Sequence, residues 1–380
     1  MIRRSRHGRL NRVRDLRFRA NPAFTLVDYE SLPADQRAAC RHLRDDPEFF
    51  GLLVAREGDP PTVKALQSGD ALLFLALTAP KPIPSYFLRA HDDFERYLGR
   101  LLLDRVIEVE IDGKFRSGPA IAENAGELDE GSIADRALLY AAELAVEQPL
   151  TLAGRLYFFN RLPTSVADCT ALPGTEAVRA YLGVSGGVST ESDVQLRESH
   201  SSDSRSAFMS WTNARSECRV AAPFKLYVCP YPADLPAIFR TCATTAGRHG
   251  AFAVKVAADA PTLNRPDKFV AYFNTRGELD ACAEAMGPVL SGLRVHELPF
   301  SGQLQVSALR WGVDPPITAS GATSSRSESW RVWVTRKLAS ALVLAVQSGY
   351  TAQAAAAFAK HRVSLEGIDV RSWAPDGVVF

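Results

Sequence analysis

The 380-residue chain lacks the features that would assign it to a specialised class at once. Its six cysteines, at positions 40, 169, 218, 229, 242 and 282, form no CxxC and no cysteine–histidine pair at metal-ligand spacing. Neither a disulfide framework nor a zinc site is indicated, and no metal or other cofactor is expected. Unpaired thiols fit a reducing bacterial cytoplasm. No apolar run approaches the ~18 residues of a membrane span, so no membrane partner is expected. No GxxxxGK followed by Ser or Thr occurs, and the glycines between 183 and 187 lack a following lysine, which excludes a P-loop and leaves any ATP chemistry to another protein. An excess of one charge is also missing: 44 Lys and Arg against 43 Asp and Glu leave a net charge of +1. General nucleic-acid binding needs a basic face across the folded body and is not expected. No internal repeat is visible.

What is there is the composition of an ordinary globular protein, 46% hydrophobic and 23% charged, long enough for roughly two domains. The arginine-rich opening, "MIRRSRHGRLNRVRDLRFRA", has no following apolar core and fails as a secretory or twin-arginine signal. Residues 1–24 read as a basic flexible arm, either solvated or touching an acidic peptide or nucleic acid. Residues 25–180 mix helix and strand signals and read as an α/β domain, a candidate for peptide binding through a strand edge. Within it "DPEFFGLLVA" and "ALLFLALTA" read as helix or core segments and "VIEVEIDG" as a strand turning at Gly113. "SIADRALLYAAELAVEQP" reads as a helix with Ser132 as N-cap and Asp135 at the capping-box position. The alternation in "GRLYFFNRLPTS" (154–165) predicts a strand.

Residues 181–206 are dense in Gly, Ser and acids and read as a linker or lid. From 207 to 380 strands dominate, with helices over "DLPAIFRTCATTAGRHG" and "TRGELDACAEAMGPVLSG". A long final helix in "ESWRVWVTRKLASALVLAVQSG" is stopped near Gly349 and preceded by a second flexible loop, "TASGATSSRSES". The fold class expected is α+β: a mostly antiparallel C-terminal sheet with flanking helices, and an N-terminal α/β domain.

The chemistry concentrates in the second half. In "FKLYVC" the period of two puts Lys225, Tyr227 and Cys229 on one face, and in "FAVKVA" it puts Lys255 between Ala253 and Ala257. A lysine flanked by alanines leaves room for a ligand. If the two strands are neighbours, Lys225, Tyr227 and Lys255 line a common pocket. Arg265 and Lys268 follow in a turn, Arg310 lies on a strand before "GVDPP", and Arg326, Arg331 and Arg336 lie near the start of the last helix. Guanidinium groups beside a helix N-terminus suit a phosphate, through bidentate contacts and free N–H donors. Two adjacent lysines lower each other's pKa from ~10.4, which lets one act as a neutral base. A base beside a phosphate ester suggests β-elimination, with Lys255 removing the Cα proton, Lys225 steadying the carbonyl and Tyr227 protonating the departing phosphate. This geometry requires both amines to emerge side by side, and an amine sealed by a carboxylate would not serve.

The order of these motifs resembles the phosphothreonine lyase family over about residues 207–345. The carrying residues are Lys225-x-Tyr227-Val228, a lone strand lysine at 255, Arg265-x-x-Lys268 and Arg310-Trp311-Gly312. More closely, they resemble the phospho-Ser/Thr lyase domains of lanthipeptide synthetases and the HopA-type effector-like proteins encoded beside discrete kinases in class V lanthipeptide and thioamitide pathways. The resemblance implies a metal-independent carbon–oxygen lyase. It would convert phosphorylated Ser or Thr of a precursor peptide to dehydroalanine or dehydrobutyrine, with a separate Ser/Thr kinase and a cyclase as partners. It further implies Lys255 as base, Lys225 beside the substrate carbonyl or phosphate, and Arg265, Lys268 and Arg310 as phosphate clamp. At one position the chain departs from the pattern, because Tyr227 stands where the relatives carry a histidine acid.

Plainer readings stand beside these. Lys255 could be a strand lysine paired with Asp259 or Asp267, Tyr227 a core aromatic, and Arg265 and Lys268 a solvated turn neutralised in part by Asp267. His296, read on a strand, is the fallback acid, His249 stabilises a helix end, and Asp314 fixes a turn. Cys229 has no evident base to activate it. The alternative functions are a noncatalytic phosphopeptide-binding scaffold that activates a partner kinase or cyclase, and a HopA-like translocated effector.

Overall fold

The computed structural model describes residues 16–44, 46–57, 63–90, 93–121, 128–129, 131–144, 146–184, 188, 196–199, 207–219, 224–314 and 329–375. Alternating segments of the C-terminal half build a seven-stranded sheet from β1 (Leu196–Ser199), β2 (Phe208–Asn213), β3 (Phe224–Val228), β4 (Ala253–Ala257), β5 (Phe269–Phe273), β6 (Gly302–Gln303) and β7 (Leu309–Val313). Their order is β6-β7-β3-β5-β4-β2-β1, and every neighbouring pair is antiparallel. The period-two pattern gives the sheet two unlike faces.

One face is apolar and is covered by two helices that follow strands, α3 (Leu235–Arg248) and α4 (Arg276–Leu290). Helix α3 buries Leu235, Ile238, Phe239, Cys242, Ala243 and Ala246, the i, i+3, i+4, i+7 stripe of an amphipathic helix. Helix α4 opens on a capping box in which Thr275 and Glu278 satisfy each other's backbone N–H groups. Phe239, Cys242, Leu279, Cys282 and Met286 from these helices close the core over Leu226, Val228, Val254, Val256, Phe269, Ala271 and Phe273.

A helical layer forms a second core. Helices α1 (Ile133–Glu143) and α2 (Pro149–Tyr157) pack against α5 (Trp330–Gln347) and α6 (Ala352–Ser364) through Leu138, Leu152, Leu156, Val334, Leu338, Leu342, Phe358 and Val363. This core joins helices from both sides of the stretch expected to be a linker. Ser132 caps α1, Gly349 follows α5 at φ +82°, and both agree with the sequence signals. A third core encloses helices Ser68–Ala76 and Phe94–Leu103 and strands from two small N-terminal sheets. Arg362 of α6 ties this unit to the rest by a two-pronged contact with Asp104, each N–O distance 2.6 Å.

Several elements differ from expectation. "GRLYFFNRLPTS" is not a strand: α2 runs through Tyr157, because Pro149 starts the helix and Leu152, Ala153 and Leu156 are buried in it. Tertiary packing there outweighs the strand preference of the aromatic run. "DPEFFGLLVA" contains a strand, Phe49–Ala55, paired on both edges, with Gly51, Leu52 and Leu53 buried at its centre. Phe18–Ala20, within the stretch read as an arm, pairs with Ile107–Val109, and Phe18 is buried. In the expected linker Val184 and Val188 are buried in the main core and Leu196–Ser199 is the edge strand β1. Residues 185–187, 189–195 and 200–206 of that stretch, the loop at 315–328 with Arg326, and residues 1–15 of the arm lie outside the described residues.

Close approach of α5 to the sheet depends on Gly312, where a Cβ would lie 2.7 Å from Trp330 Cδ1. Gly312→Ala is expected to cost about 1–3 kcal/mol in urea unfolding. Gly154→Ala, inside α2 with nothing within 4 Å of the added carbon, is expected to stabilise by about 0.4–1 kcal/mol. Equal behaviour of the two variants would contradict this packing.

Candidate active site

The sheet's second face carries the chemistry, and its register sets two rows across the strands. In antiparallel pairs, residues directly opposite each other share a face. One row reads Ser210, Lys255, Val270, Tyr227, Arg310, and the next reads Thr212, Ala253, Tyr272, Lys225, Gly312. Lys225 and Lys255 therefore stand on the same face, as expected, with β5 between them. Tyr272 fills the interval, each ammonium lying 5.4 Å from the centre of its ring. Burial pushes the Tyr272 hydroxyl up to about 12, against the pull of Lys225.

Lys255 has no carboxylate within salt-bridge distance among the described residues. Asp259, one suggested partner, instead caps the short helix Ala260–Leu263 through the Thr262 N–H. The Lys255 ammonium rests over Phe208 at 4.6 Å and beside Tyr272. Burial lowers its pKa, with Asp267 pulling upward and Arg265 adding to the lowering. The mutual effect expected between the two lysines is not the cause. Desolvation and a guanidinium do that work, and the result is an amine with an increased neutral fraction.

Lys225 differs from expectation. Its ammonium is sealed against Asp314 at 2.6 Å, both side chains 7% exposed, so it offers no free cation. Asp314 does more than fix a turn. Its Oδ1 also accepts the Trp330 N–H at 2.9 Å, so the first N–H of α5 is occupied rather than free for a ligand. Tyr227, between Lys255 and Arg310 in the register, is 4% exposed, and burial raises its hydroxyl well above the ordinary tyrosine range.

The arginines and Lys268 are largely committed to protein groups. Arg265 donates through Nε and Nη2 to the two oxygens of Asp267, each at 2.8 Å, and Nη2 also donates to the Tyr157 hydroxyl at 2.8 Å. Arg331, 1% exposed, donates to Asp267 Oδ2 (2.8 Å), the Tyr157 carbonyl (2.7 Å) and the Pro299 carbonyl (3.3 Å). A guanidinium so engaged cannot clamp a phosphate, and the expectation for Arg331 is corrected. Burial would raise the Asp267 carboxyl, but Arg331 and Arg265 hold it well below the usual carboxylate range. Lys268 is fully buried, donating to the Pro230 carbonyl at 2.6 Å with His296 Nδ1 at 3.2 Å, so it too leaves the clamp. Burial lowers its pKa to about 8. Among the described residues Arg310 makes one side-chain hydrogen bond, Nη1 to Gln303 Oε1 at 3.3 Å, and its buried Nε has no hydrogen-bond partner there.

The fallback acid is also committed. His296 follows an isolated bridge rather than lying in a strand, and its Nε2 meets the Asn160 carbonyl at 2.6 Å while Nδ1 meets Lys268. Cys229 is buried on the same face, its thiol pushed up to about 12 by burial, which keeps it an inert thiol. His249 caps the end of α3, as read.

Two participants carried no sequence signal. Phe208 is shared by Arg265, 5.2 Å away, and Lys255. Tyr157 enters from α2, its ring between Arg265 at 5.2 Å and Arg331 at 4.6 Å. Only the sheet register could have pointed to Tyr272, opposite Lys225. Cations and aromatic rings thus alternate from Arg265 through Phe208, Lys255 and Tyr272 to Lys225. Among the described residues, six cations (Lys225, Lys255, Arg265, Lys268, Arg310, Arg331) face two carboxylates, Asp267 and Asp314. Such an imbalance in a partly dehydrated cluster favours an anionic ligand.

Two measurements test this electrostatic core. Arg331→Ala leaves Asp267 and the Tyr157 carbonyl short of a donor and is expected to lower unfolding free energy by about 3–5 kcal/mol, with a loss below 1 kcal/mol contradicting the assignment. His296 is held neutral, its pKa lowered to about 4 by burial and by Lys268. The unfolded chain takes up this proton near pH ~6.5, so His296 contributes stability that is whole above that pH and lost as pH falls toward 4. In His296→Gln, urea midpoints are expected to fall less steeply across that window, and an unchanged slope would refute the assignment.

No family model matches the chain, and none of the curated proteins compared with it matches. Among solved structures it is similar to the effector protein from Pseudomonas syringae pv. tomato strain DC3000, at 16% identity over 64% of this chain and 97% of that chain, with a TM-score of 0.43. It is similar also to the effector protein from Pseudomonas syringae pv. syringae strain 61, at 15% identity over 66% and 99%, TM-score 0.42. A third is the type III effector/phosphothreonine lyase OspF from Shigella flexneri, at 11% identity over 40% and 77%, TM-score 0.27.

Proposed function

We propose that this protein is a phosphoserine/phosphothreonine lyase acting on a phosphorylated precursor peptide. The single observation that carries the reading is Lys255: a partly buried lysine of lowered pKa, without a carboxylate partner among the described residues, on one sheet face with Lys225, Tyr227 and Arg310. Motif order and the surplus of cations around that face support it.

In the reaction proposed, the neutral Lys255 amine takes the Cα proton of the phosphorylated residue. The electron pair of the Cα–H bond forms the Cα–Cβ double bond, and the Cβ–O bond breaks, its pair leaving with the phosphate. The products are dehydroalanine or dehydrobutyrine and inorganic phosphate. Lys225 is committed to Asp314 and is given no part in the step. Arg310 and the unbonded Nη1 edge of Arg265 receive the phosphate, and Tyr227 supplies the leaving-group proton. These side chains suffice for the step, so the elimination is written as metal-independent. The pathway context proposed is lanthipeptide biosynthesis, with a separate kinase before this step and a cyclase after it, in the bacterial cytoplasm.

A second reading, a phosphopeptide-holding scaffold that activates a partner kinase or cyclase, is favoured by the commitment of Arg331, Lys268 and His296 to protein groups. A precursor peptide phosphorylated on Thr separates the two. Wild type is expected to release one phosphate per site, and Lys255→Ala to slow release by about 10²–10⁴-fold. The rate should rise with pH to an inflection below that of an ordinary lysine, since the deprotonated amine is the base. Binding without release by both proteins would replace the lyase with the scaffold.

A further inference from the structure

The N-terminal half reaches this site at the end of α2. Tyr157 is the last residue of that helix, and its hydroxyl joins Asp267 and Arg265. It lies 3.1 Å from Asp267 Oδ2, to which it donates, and accepts from Arg265 Nη2 at 2.8 Å. Both guanidinium groups lie over its ring, and its carbonyl accepts from Arg331. Phe158, 45% exposed, lies on the same guanidinium of Arg265 at 5.2 Å. The following residues continue the contact: Asn160 Nδ2 donates to the Glu297 carbonyl at 2.8 Å, and the Leu162 N–H to the Asn264 carbonyl at 2.9 Å, one residue before Arg265.

The consequence concerns the orientation of Arg265. Its Nε and Nη2 edge is pinned by Asp267 and Tyr157, whereas Nη1 has no hydrogen bond among the described residues. Asp267 alone would leave a bidentate pair free to rock about the carboxylate axis. A third contact at Nη2, with aromatic rings of Tyr157, Phe158 and Phe208 around the plane, removes that freedom. Arg265 and Lys255 share the Phe208 ring, so the fixed guanidinium lies beside the sheet face that carries Lys255.

We propose that Tyr157 is a positioning residue of the phosphate site, holding Arg265 so that its free edge meets the phosphoryl group, and that the N-terminal half thereby completes the site. This rests on the phosphopeptide reading given above. Tyr157 touches no reacting atom, so it acts on affinity more than on the chemical step.

The test is titration of the full chain with a phosphothreonine peptide and with its unphosphorylated form, for wild type, Tyr157→Phe, Tyr157→Leu and Thr275→Ala, alongside single-turnover phosphate release. Tyr157→Phe keeps the ring and removes the hydroxyl. It is expected to raise Kd for the phosphopeptide about tenfold, the usual scale for one hydrogen bond to a charged group, while the saturating release rate changes less than about threefold. Tyr157→Leu, which also removes the ring, is expected to weaken binding further. Thr275→Ala removes a helix cap on the opposite face of the sheet and is expected to lower stability by ~1 kcal/mol with no change in Kd. Tyr157→Phe binding like wild type, or Thr275→Ala weakening binding equally, overturns the positioning role while leaving the phosphate reading standing. Equal affinity of wild type for both peptides would overturn the phosphate reading itself, and this inference with it.

Discussion

The arrangement turns on one buried carboxylate. Asp267, 5% exposed, accepts from Arg265 on the turn before β5, from Arg331 on α5 and from Tyr157 on α2. Three elements far apart in sequence are thereby fixed to one point under the sheet. A buried ion cluster of this kind contributes little net stability compared with apolar packing, because desolvation of the charges offsets most of their attraction. What it does supply is placement: removing any partner leaves a charge buried and unpaired, so alternative packings of α2 and α5 on the sheet are strongly disfavoured.

Around that point the sheet divides its two faces between different tasks. One face buries Leu226, Val228, Val254, Val256, Phe269 and Phe273 beneath α3 and α4, and this apolar core supports the strands. The opposite face then tolerates cations, because the strands beneath them are already held. Asp314 pairs with Lys225 and Asp267 is shared by Arg265 and Arg331, leaving Lys255 and Arg310 without a carboxylate among the described residues. An amine kept short of counter-charge in a partly dehydrated setting loses its proton more readily, which is the property a general base requires near neutral pH.

Legibility from sequence followed the length and clarity of local pattern. Helices α1, α3, α4 and α5 were readable from the sequence pattern: Ser132 and Gly349 lie where the sequence signals placed them. The shared face of Lys225 and Lys255 followed from period two, although their strands are not neighbours, because β5 lies between them. The misreading of 154–165 has a specific cause, since "LYFF" has strong strand preference and only burial of Leu152 and Leu156 against α5 makes that segment helical. Because Tyr157 lies in that segment, the same misreading concealed its part in the site.

By itself, then, the amino-acid order determined which residues alternate, where most helices start and stop, that the chain is α+β, and that several cations converge on one sheet face. Those properties are local, set by backbone geometry within a few residues. Tertiary structure alone decided which cations remain available. Asp314 meets Lys225 across 89 positions in the chain and Tyr157 meets Arg265 across 108, and no local rule reaches so far. A lysine's pKa and a guanidinium's free edge depend on the charges and water within a few ångströms, and folding, not sequence proximity, brings those neighbours together.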